Sequence, residues 1–239
     1  MQREPLSFSC LSKGGMDFMH GVFDIVGPVM IGPSSSHTAG AVRLGLMARQ
    51  VLGEEPVKAE IFLHGSFAQT YRGHGTDKAL VAGILGFAPD DERIREALEI
   101  ATRRGVKYRF EPVQLEQAHP NTAILALTGA SGRAARVRGS SVGGGNILVT
   151  NIDGYEVELT GAYPALITIH RDRPGVITQV TQVLSRYGVN IAFMRVSRKN
   201  RGETAMMIME LDDIPADEVI EECREVCDVE NAFSIPPIG

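Results

Sequence analysis

Two short motifs in the first half of the chain place a histidine among hydroxyl and glycine residues. Residues 32–38 read GPSSSHT and residues 73–77 read GHGTD, with His37 and His74 as their imidazoles. An imidazole transfers protons near neutral pH, and hydroxyls at the start of a helix can bind a carboxylate. Each histidine alone would also fit a structural role. Together the motifs predict a site that binds a small carboxylate and moves a proton.

Helical and strand patterns in residues 21–161 would position these motifs. Residues 39–51 carry apolar side chains on one helical face, with residues 34–36 as capping candidates. Further helices are predicted from Thr76 to about residue 86 and over residues 90–104. Strands are predicted at residues 59–63, 107–113, 121–129, 134–139, 146–152 and 155–159. The order predicts an α/β domain with a mostly antiparallel second half.

The pattern changes after residue 161. A strand at 164–171 is followed by a helix opened by Pro174, strands at 189–198 and 204–211, a helix at 215–227 and a strand near 231–235. This β-α-β-β-α-β order is that of the ferredoxin-like split βαβ unit. We therefore predict an α+β chain with domains at 21–161 and 162–239, preceded by a flexible extension over residues 1–20.

Composition limits the classes of protein to which the chain can belong. It has 239 residues, a formal net charge of -5, 44% hydrophobic and 22% charged residues, which is globular composition. No run approaches the roughly 20 apolar residues of a membrane span, and no signal-peptide core is present. A pI near 5.7 without a basic block argues against nucleic-acid binding. We expect a soluble, cytoplasmic protein whose partners are small molecules and other proteins.

The three cysteines are too few for an iron-sulfur cluster, which normally takes four thiolates. Cys10 stands alone near the start, whereas Cys223 and Cys227 fall on the apolar stripe of the last predicted helix. We expect both of the latter to be buried core residues, with a metal-binding pair as the minor alternative. No metal site is predicted in this chain.

Residues 162–235 resemble an ACT domain, the small regulatory module that binds amino acids. The resemblance rests on Asp172, Pro174 and Gly175 at the first strand-helix turn and on Asn190 before the second strand. The string IHRDRPG is similar to the serine-binding turn of phosphoglycerate dehydrogenases, with Asp172 where that turn has Asn. An ionised Asp only accepts hydrogen bonds, so it could hold an ammonium group. The implied effector-binding residues are His170, Asp172, Gly175 and Asn190.

The first domain resembles the iron-sulfur-dependent L-serine dehydratases, and most closely the beta subunit of their two-subunit form. The resemblance is carried by GPSSSHTAG, GHGTD, HPNT at 119–122 and SSVGGGN at 140–146. It implies a lyase reaction that converts L-serine to pyruvate and ammonia, in gluconeogenesis or serine catabolism. The same domain also resembles the extra regulatory domain of some phosphoglycerate dehydrogenases.

That resemblance further implies a partner alpha subunit that ligates a 4Fe-4S cluster, whose open iron assists departure of the serine hydroxyl. A potassium requirement is implied in the same way. His74 is the implied base for the α-proton, and His37 and its hydroxyl neighbours would orient the substrate. The implied catalytic residues are His74 and His37, and the implied substrate-binding residues are Ser34, Ser35, Ser36, Thr38 and Asn121.

Two alternatives stay open at this stage. The chain is either a working part of the enzyme or a non-catalytic subunit that senses an amino acid, because both would have a small-molecule site and a protein partner. The ACT domain either binds an effector or only joins subunits. In both cases we expect the ACT domain to mediate self-association.

Overall fold

The computed structural model describes residues 30, 32 and 34–238. The predicted extension at residues 1–20 and Cys10 lie outside these described residues. Two β-sheets, each covered by helices, account for most of the described chain.

The first domain is built on a six-stranded sheet with the strand order β2-β1-β3-β4-β5-β6. Strands β1 and β2 are parallel and all other neighbours are antiparallel, which agrees with the predicted antiparallel second half. The strands are β1 (Pro56–Leu63), β2 (Lys107–Pro112), β3 (Thr122–Gly129), β4 (Ala134–Gly143), β5 (Asn146–Ile152) and β6 (Tyr155–Leu159). The helices are α1 (Ala39–Leu52), α2 (Gly65–Thr70), α3 (Thr76–Ile84) and α4 (Ala97–Arg103), and a 3-10 helix (Glu92–Glu96) precedes α4.

The second domain has the predicted β-α-β-β-α-β order. Its sheet is antiparallel with the strand order β10-β7-β9-β8, which places β8 at an edge. The elements are β7 (Ala165–Arg171), α5 (Val176–Arg186), β8 (Ile191–Arg198), β9 (Thr204–Leu211), α6 (Asp217–Glu225) and β10 (Val229–Ile235). The α+β fold class predicted for the chain is therefore confirmed.

The two faces of the second sheet bury against different partners because successive side chains of a strand alternate between faces. Leu166, Met207 and Met209 pack with Val180 of α5 on one face. Residues of the opposite face, such as Ile167, belong to the core of the first domain. The core of the first domain thus extends onto one face of the second sheet, and the helix-covered face has a separate apolar cluster.

Local helix signals are less accurate than the overall pattern. Ser34–Ser36 do not cap α1, because its N-cap is Thr38, whose side chain makes no capping hydrogen bond. The predicted helix at 90–104 starts as a 3-10 helix at Glu92, where the Asp91 side chain accepts from the backbone N–H of Arg93 at 2.9 Å. Helix α2 is not predicted from the sequence, because only Phe67 of its six residues is buried.

The prediction that both late cysteines are core residues is wrong for Cys227. Cys223 is fully buried on α6, and burial raises the pKa of its thiol to about 11. Helix α6 ends at Glu225 and Val226 is extended, so Cys227 leaves the apolar stripe and is exposed.

Candidate functional site

The two histidines singled out in the sequence lie side by side in the structure. His37 lies in the turn before α1, and His74 lies in the turn before α3. Their ring centroids are 4.8 Å apart and the rings are nearly perpendicular, at 80°. The fold therefore brings the GPSSSHT and GHGTD motifs into one site.

Two glycines allow the helices behind the histidines to pack closely. A Cβ on Gly83 of α3 would lie 2.0 Å from the backbone oxygen of Val42, and one on Gly45 of α1 would lie 2.4 Å from that of Leu80. Such distances are far inside van der Waals contact, so any side chain would push α1 and α3 apart. The spacing of the two helices fixes the spacing of the histidines at their N-terminal ends.

The His37 ring is buried and its Nε2 is held by two hydroxyls. Thr70 Oγ1 lies 3.2 Å and Ser66 Oγ 3.3 Å from His37 Nε2. The Thr70 hydroxyl donates its own hydrogen to the Ser66 carbonyl oxygen at 2.8 Å, so it can only accept from the imidazole. This network assigns the proton of neutral His37 to Nε2 and leaves Nδ1 as an acceptor.

The other side of the His37 ring faces its own motif. Ser34 Oγ lies 3.4 Å from His37 Nδ1 and also accepts from the His37 backbone N–H at 3.3 Å. Burial lowers the pKa of His37, and the neighbouring charge of His74 lowers it further. His37 is thus kept neutral, with a basic nitrogen directed at a serine hydroxyl.

His74 has the opposite environment, because its side chain is exposed beside the buried His37. Its neighbours Gly73 and Gly75 carry no side chains, and a Cβ on Gly75 would meet nothing within 4 Å. Of the two imidazoles, His74 is therefore the one that a substrate arriving from solvent can reach. It has the accessibility that a proton acceptor needs.

The remaining predicted substrate-binding residues lie in two places, the turn that carries His37 and the segment before β3. Ser35 and Ser36 lie half-buried in the turn that carries His37, where Ser35 contributes its carbonyl to the N–H of Gly40 at 2.9 Å. Thr38 is 3% exposed and its side chain contacts Gly32, so it supports the loop from beneath. Asn121 is half-buried before β3, and its carbonyl oxygen accepts from the N–H of Ser141 at 3.0 Å.

Sequence reasoning missed the residues that orient His37. Ser66 and Thr70 lie on α2, and Phe67 of the same helix contacts the His37 ring edge to face at 5.3 Å. The spacing of Ser66 and Thr70 puts both on one helical face, which was the available signal. Asp77 is also buried near the site, and burial raises the pKa of its carboxyl.

The predicted effector residues of the second domain do not come together within one chain. Asp172 and Gly175 lie in the turn between β7 and α5, where Gly175 adopts a positive φ of 95°. Asn190 lies at the opposite end of the sheet, where its side-chain amide donates to Asp212 at 2.8 Å. A site containing all three residues would need two copies of the chain.

Asp172 already has partners in its own chain. Its carboxylate accepts from Arg198 at 2.7 Å and from the N–H of Gly202 at 2.9 Å, and these contacts lower the pKa of the carboxyl. Asp172 is therefore not free in this chain. It could hold the ammonium group of a ligand only if that ligand competed with Arg198.

His170 lies on the helix-covered face of β7, and its side chain is incompletely bonded. Its Nδ1 lies 2.8 Å from the carbonyl oxygen of Arg171, so Nδ1 carries the proton and Nε2 is an acceptor. Within the described residues, His170 Nε2 and Thr168 Oγ1 are buried without a hydrogen-bond partner. Buried polar atoms are normally paired, so these two are an exception within the core beneath the helices.

The described part of the chain contains no group of three or more His, Cys, Asp and Glu side chains arranged to hold a metal ion. Cys223 and Cys227 do not fit an iron-sulfur cluster, because one is enclosed in the core and the other is exposed. Among the helices in the described ranges, none is long and apolar enough to cross a membrane.

Comparison with known proteins agrees with this architecture. Residues 21–151 match the family model of the serine dehydratase beta chain, and residues 165–228 match that of the ACT domain. The fold and the histidine site thus define a two-domain α+β protein with a C-terminal ACT domain. The chain belongs to the serine dehydratase beta chain family.

Three relatives illustrate the breadth of the similarity. A probable L-serine dehydratase beta chain of Bacillus subtilis is 43% identical over 86% of this chain and 93% of its own length. The L-serine dehydratase beta chain of Peptoniphilus asaccharolyticus is 38% identical over 81% of this chain and 87% of its own length. A D-3-phosphoglycerate dehydrogenase of Synechocystis is 26% identical over 82% of this chain but only 35% of its own length.

Proposed function

We propose that this chain is the beta subunit of an L-serine dehydratase that converts L-serine to pyruvate and ammonia together with an alpha subunit. The similarity to two L-serine dehydratase beta chains supports this assignment over most of their length. The structural observation that carries the proposal is the histidine pair, in which an exposed imidazole lies 4.8 Å from a buried one.

The reaction removes a proton from Cα and hydroxide from Cβ of serine, which leaves aminoacrylate. Aminoacrylate tautomerises to an imine, and water hydrolyses the imine to pyruvate and ammonia. His74 accepts the Cα proton because it is the accessible imidazole of the pair. The electron pair of the broken C–H bond forms the new double bond as hydroxide departs.

His37 acts in the same site as a neutral group. Its buried ring, with Nδ1 toward Ser34, holds the serine-rich turn in one conformation beside His74. Ser34, Ser35 and Ser36 present hydroxyls and half-buried backbone there, and these groups would receive the substrate carboxylate. Asn121 lies on the neighbouring strand end and would complete the pocket.

Departure of hydroxide needs assistance that the described residues of this chain do not offer. Because the chain has only three cysteines and neither Cys223 nor Cys227 fits a 4Fe-4S cluster, we place that cluster on the alpha subunit. The alpha subunit must then dock over the exposed side of the histidine pair. A potassium ion is part of the same proposal only through the family resemblance.

The ACT domain adds a regulatory and assembly role to this proposal. The turn between β7 and α5, where Asp172 and Gly175 lie, is the part of this domain that we expect to bind an effector. The separation of Asn190 from Asp172 favours a site shared by two copies of the chain. An amino-acid sensor without catalytic function would use this domain alone and would not need His74.

The experiment is an anaerobic assay of pyruvate from L-serine with this chain alone, with the alpha subunit alone and with both. We expect activity only with both, and we expect this chain alone to be colourless. A stable cluster and dehydratase activity in this chain alone, after reconstitution with iron and sulfide, would contradict the two-subunit proposal. Full activity of the alpha subunit alone would support the sensor role.

A further inference from the structure

A cavity of about 1010 Å³ lies between the first domain and the ACT domain, and none of the predicted site residues described above lines it. Residues of β4, β5, β6 and the segment 160–163 line one side, and residues of β8 and β9 line the other. Its lining is largely apolar, and Phe193 and Tyr163 are 62% and 42% exposed. Exposed aromatic side chains around a cavity of this size are typical of a binding site between domains.

Arg43 brings a positive charge to the first-domain side of the cavity. One of its terminal nitrogens donates to the carbonyl oxygen of Gly145 at 2.8 Å, whereas its Nε is buried without a partner in the described chain. Burial lowers the pKa of the guanidinium. Among the described residues, no carboxylate compensates the desolvated charge of Arg43.

Glu210 brings a negative charge from the ACT domain. It lies on β9, is 5% exposed, and accepts two hydrogen bonds from Thr160 on its Oε1, at 3.0 and 3.2 Å. Among the residues that the structure describes, no cation pairs with it. The two other charged lining residues, Arg195 and Glu158, neutralise each other at 2.8 Å.

We propose that this cavity binds a zwitterionic α-amino acid with a bulky apolar side chain. Its carboxylate would face Arg43, its ammonium group would face Glu210, and its side chain would cover the apolar wall that includes Phe193. Arg43 and Glu210 carry opposite charges from different domains and do not pair with each other, which is the arrangement that a zwitterion complements.

The chemistry of the lining separates this ligand from L-serine. A hydroxymethyl side chain has no apolar surface to bury against Tyr163, Phe193 and Ile208, so serine would gain only the two polar contacts. The site is also distinct from the β7–α5 turn, because neither Asp172 nor Gly175 lines the cavity. It goes beyond the proposed function, since binding here requires no alpha subunit and no turnover.

The test is calorimetric titration of the full chain alone with L-phenylalanine and L-leucine, compared with L-serine. We expect both apolar amino acids to bind at least about tenfold more tightly than L-serine. Phenethylamine and 3-phenylpropionate, which each lack one of the two charges, should bind about tenfold or more weakly than L-phenylalanine.

Variants locate the binding. Arg43→Gln and Glu210→Gln should each weaken L-phenylalanine binding about tenfold or more, and the glutamine amide of Glu210→Gln keeps an acceptor for Thr160. Phe193 is exposed, so Phe193→Ala leaves the core intact. It therefore tests the apolar wall of the cavity in a folded protein. Asp172→Ala is the matched control in the ACT turn and should leave this binding unchanged.

Two results would overturn the proposal. One is that neither L-phenylalanine nor L-leucine binds at about 10 mM, a concentration at which even weak binding would be detected. The other is binding that survives both Arg43→Gln and Phe193→Ala but is lost in Asp172→Ala, which would assign the ligand to the ACT turn. Neither result depends on serine dehydratase activity, so the proposed function is tested separately.

Discussion

The histidine pair shows how environment gives two identical side chains different chemistry. A buried, neutral imidazole is suited to orienting groups, and an exposed one is suited to taking a proton from a substrate. The division of roles that we propose follows from burial and hydrogen bonding at single residues.

Thr70→Val tests whether a hydroxyl fixes the His37 tautomer. Valine has the shape of threonine but cannot accept from Nε2–H, so both tautomers should become populated. We expect kcat of the two-subunit enzyme to fall about 2- to 10-fold with a smaller change in KM. The ¹⁵N shifts of the His37 ring should change with it, and Thr70→Ser should restore both.

A purely structural role for Thr70 would give another result. The Thr70→Val substitution would then lower the free energy of unfolding while the His37 ring shifts and kcat of the folded enzyme stayed at their wild-type values. That outcome would remove Thr70 from the positioning of His37.

His37 should also make stability depend on pH. Its pKa is lowered in the folded chain from the ordinary 6.5, so the unfolded chain takes up a proton at a higher pH than the native one does. The native state therefore loses stability as pH falls through about 6.5 toward the lower native pKa. Urea unfolding between about pH 7.5 and 5.5 should show this loss in the wild type and less of it in His37→Gln. Equal slopes in the two proteins would contradict the prediction.

At the scale of elements, the close packing of α1 and α3 determines the site. Gly83 and Gly45 lie where the two helices meet, and the backbone of each helix occupies the space of a side chain on the other. The sequence patterns predict both helices, but they do not show that the helices touch or that the histidines before them meet. Contact between the helices depends on long-range packing, and hydrophobic periodicity shows only local structure.

Gly83→Ala should separate these helices. A methyl group 2.0 Å from the Val42 carbonyl oxygen cannot be accommodated without backbone movement, and overpacking of this kind costs about 1 to 3 kcal/mol or more. We expect a lower free energy of unfolding by chemical denaturation, together with reduced kcat in the two-subunit enzyme. Gly73→Ala is the matched control for stability, since its methyl would lie 3.8 Å from the nearest atom. Equal stabilities would show that the helices are free to separate.

Other elements show where local patterns fail. The β-α-β-β-α-β order could be predicted because each element carries its own period and its own Gly or Pro boundary. The six-residue α2 could not, although it holds Ser66 and Thr70, because one buried residue makes no periodic signal. Cys227 matched the stripe of α6 but lies beyond its end, and helix ends are poorly marked in sequence.

At the scale of the whole molecule, the edge strand β8 is where we propose that a second copy of the chain binds. The family motif predicts Asp172 and Asn190 in one site, but strand register puts them at opposite ends of the sheet. Sequence spacing does not show register, so this separation could not be predicted. If one site contains both residues, as the family motif predicts, they must come from two copies of the chain.

Val196→Lys tests this assembly. Val196 is 39% exposed on the edge strand, and a lysine there disfavours pairing with another strand. We expect sedimentation velocity to show self-association of the wild-type chain and a smaller assembly for the variant. Val57→Lys, at a 42% exposed valine of β1, is the matched control and should keep the wild-type mass. An identical mass for wild type and Val196→Lys would exclude β8 as the contact.

The most direct test of the central claim is the turnover of L-serine by the anaerobic two-subunit enzyme carrying His74→Ala. If His74 of this chain is the base, kcat should fall by about 10²- to 10⁴-fold while subunit association and the absorbance of the alpha subunit's cluster are unchanged. Lys78→Ala, an exposed change on the helix that follows His74, should retain wild-type kcat. A near-normal kcat in His74→Ala would contradict the claim that this chain supplies the proton acceptor.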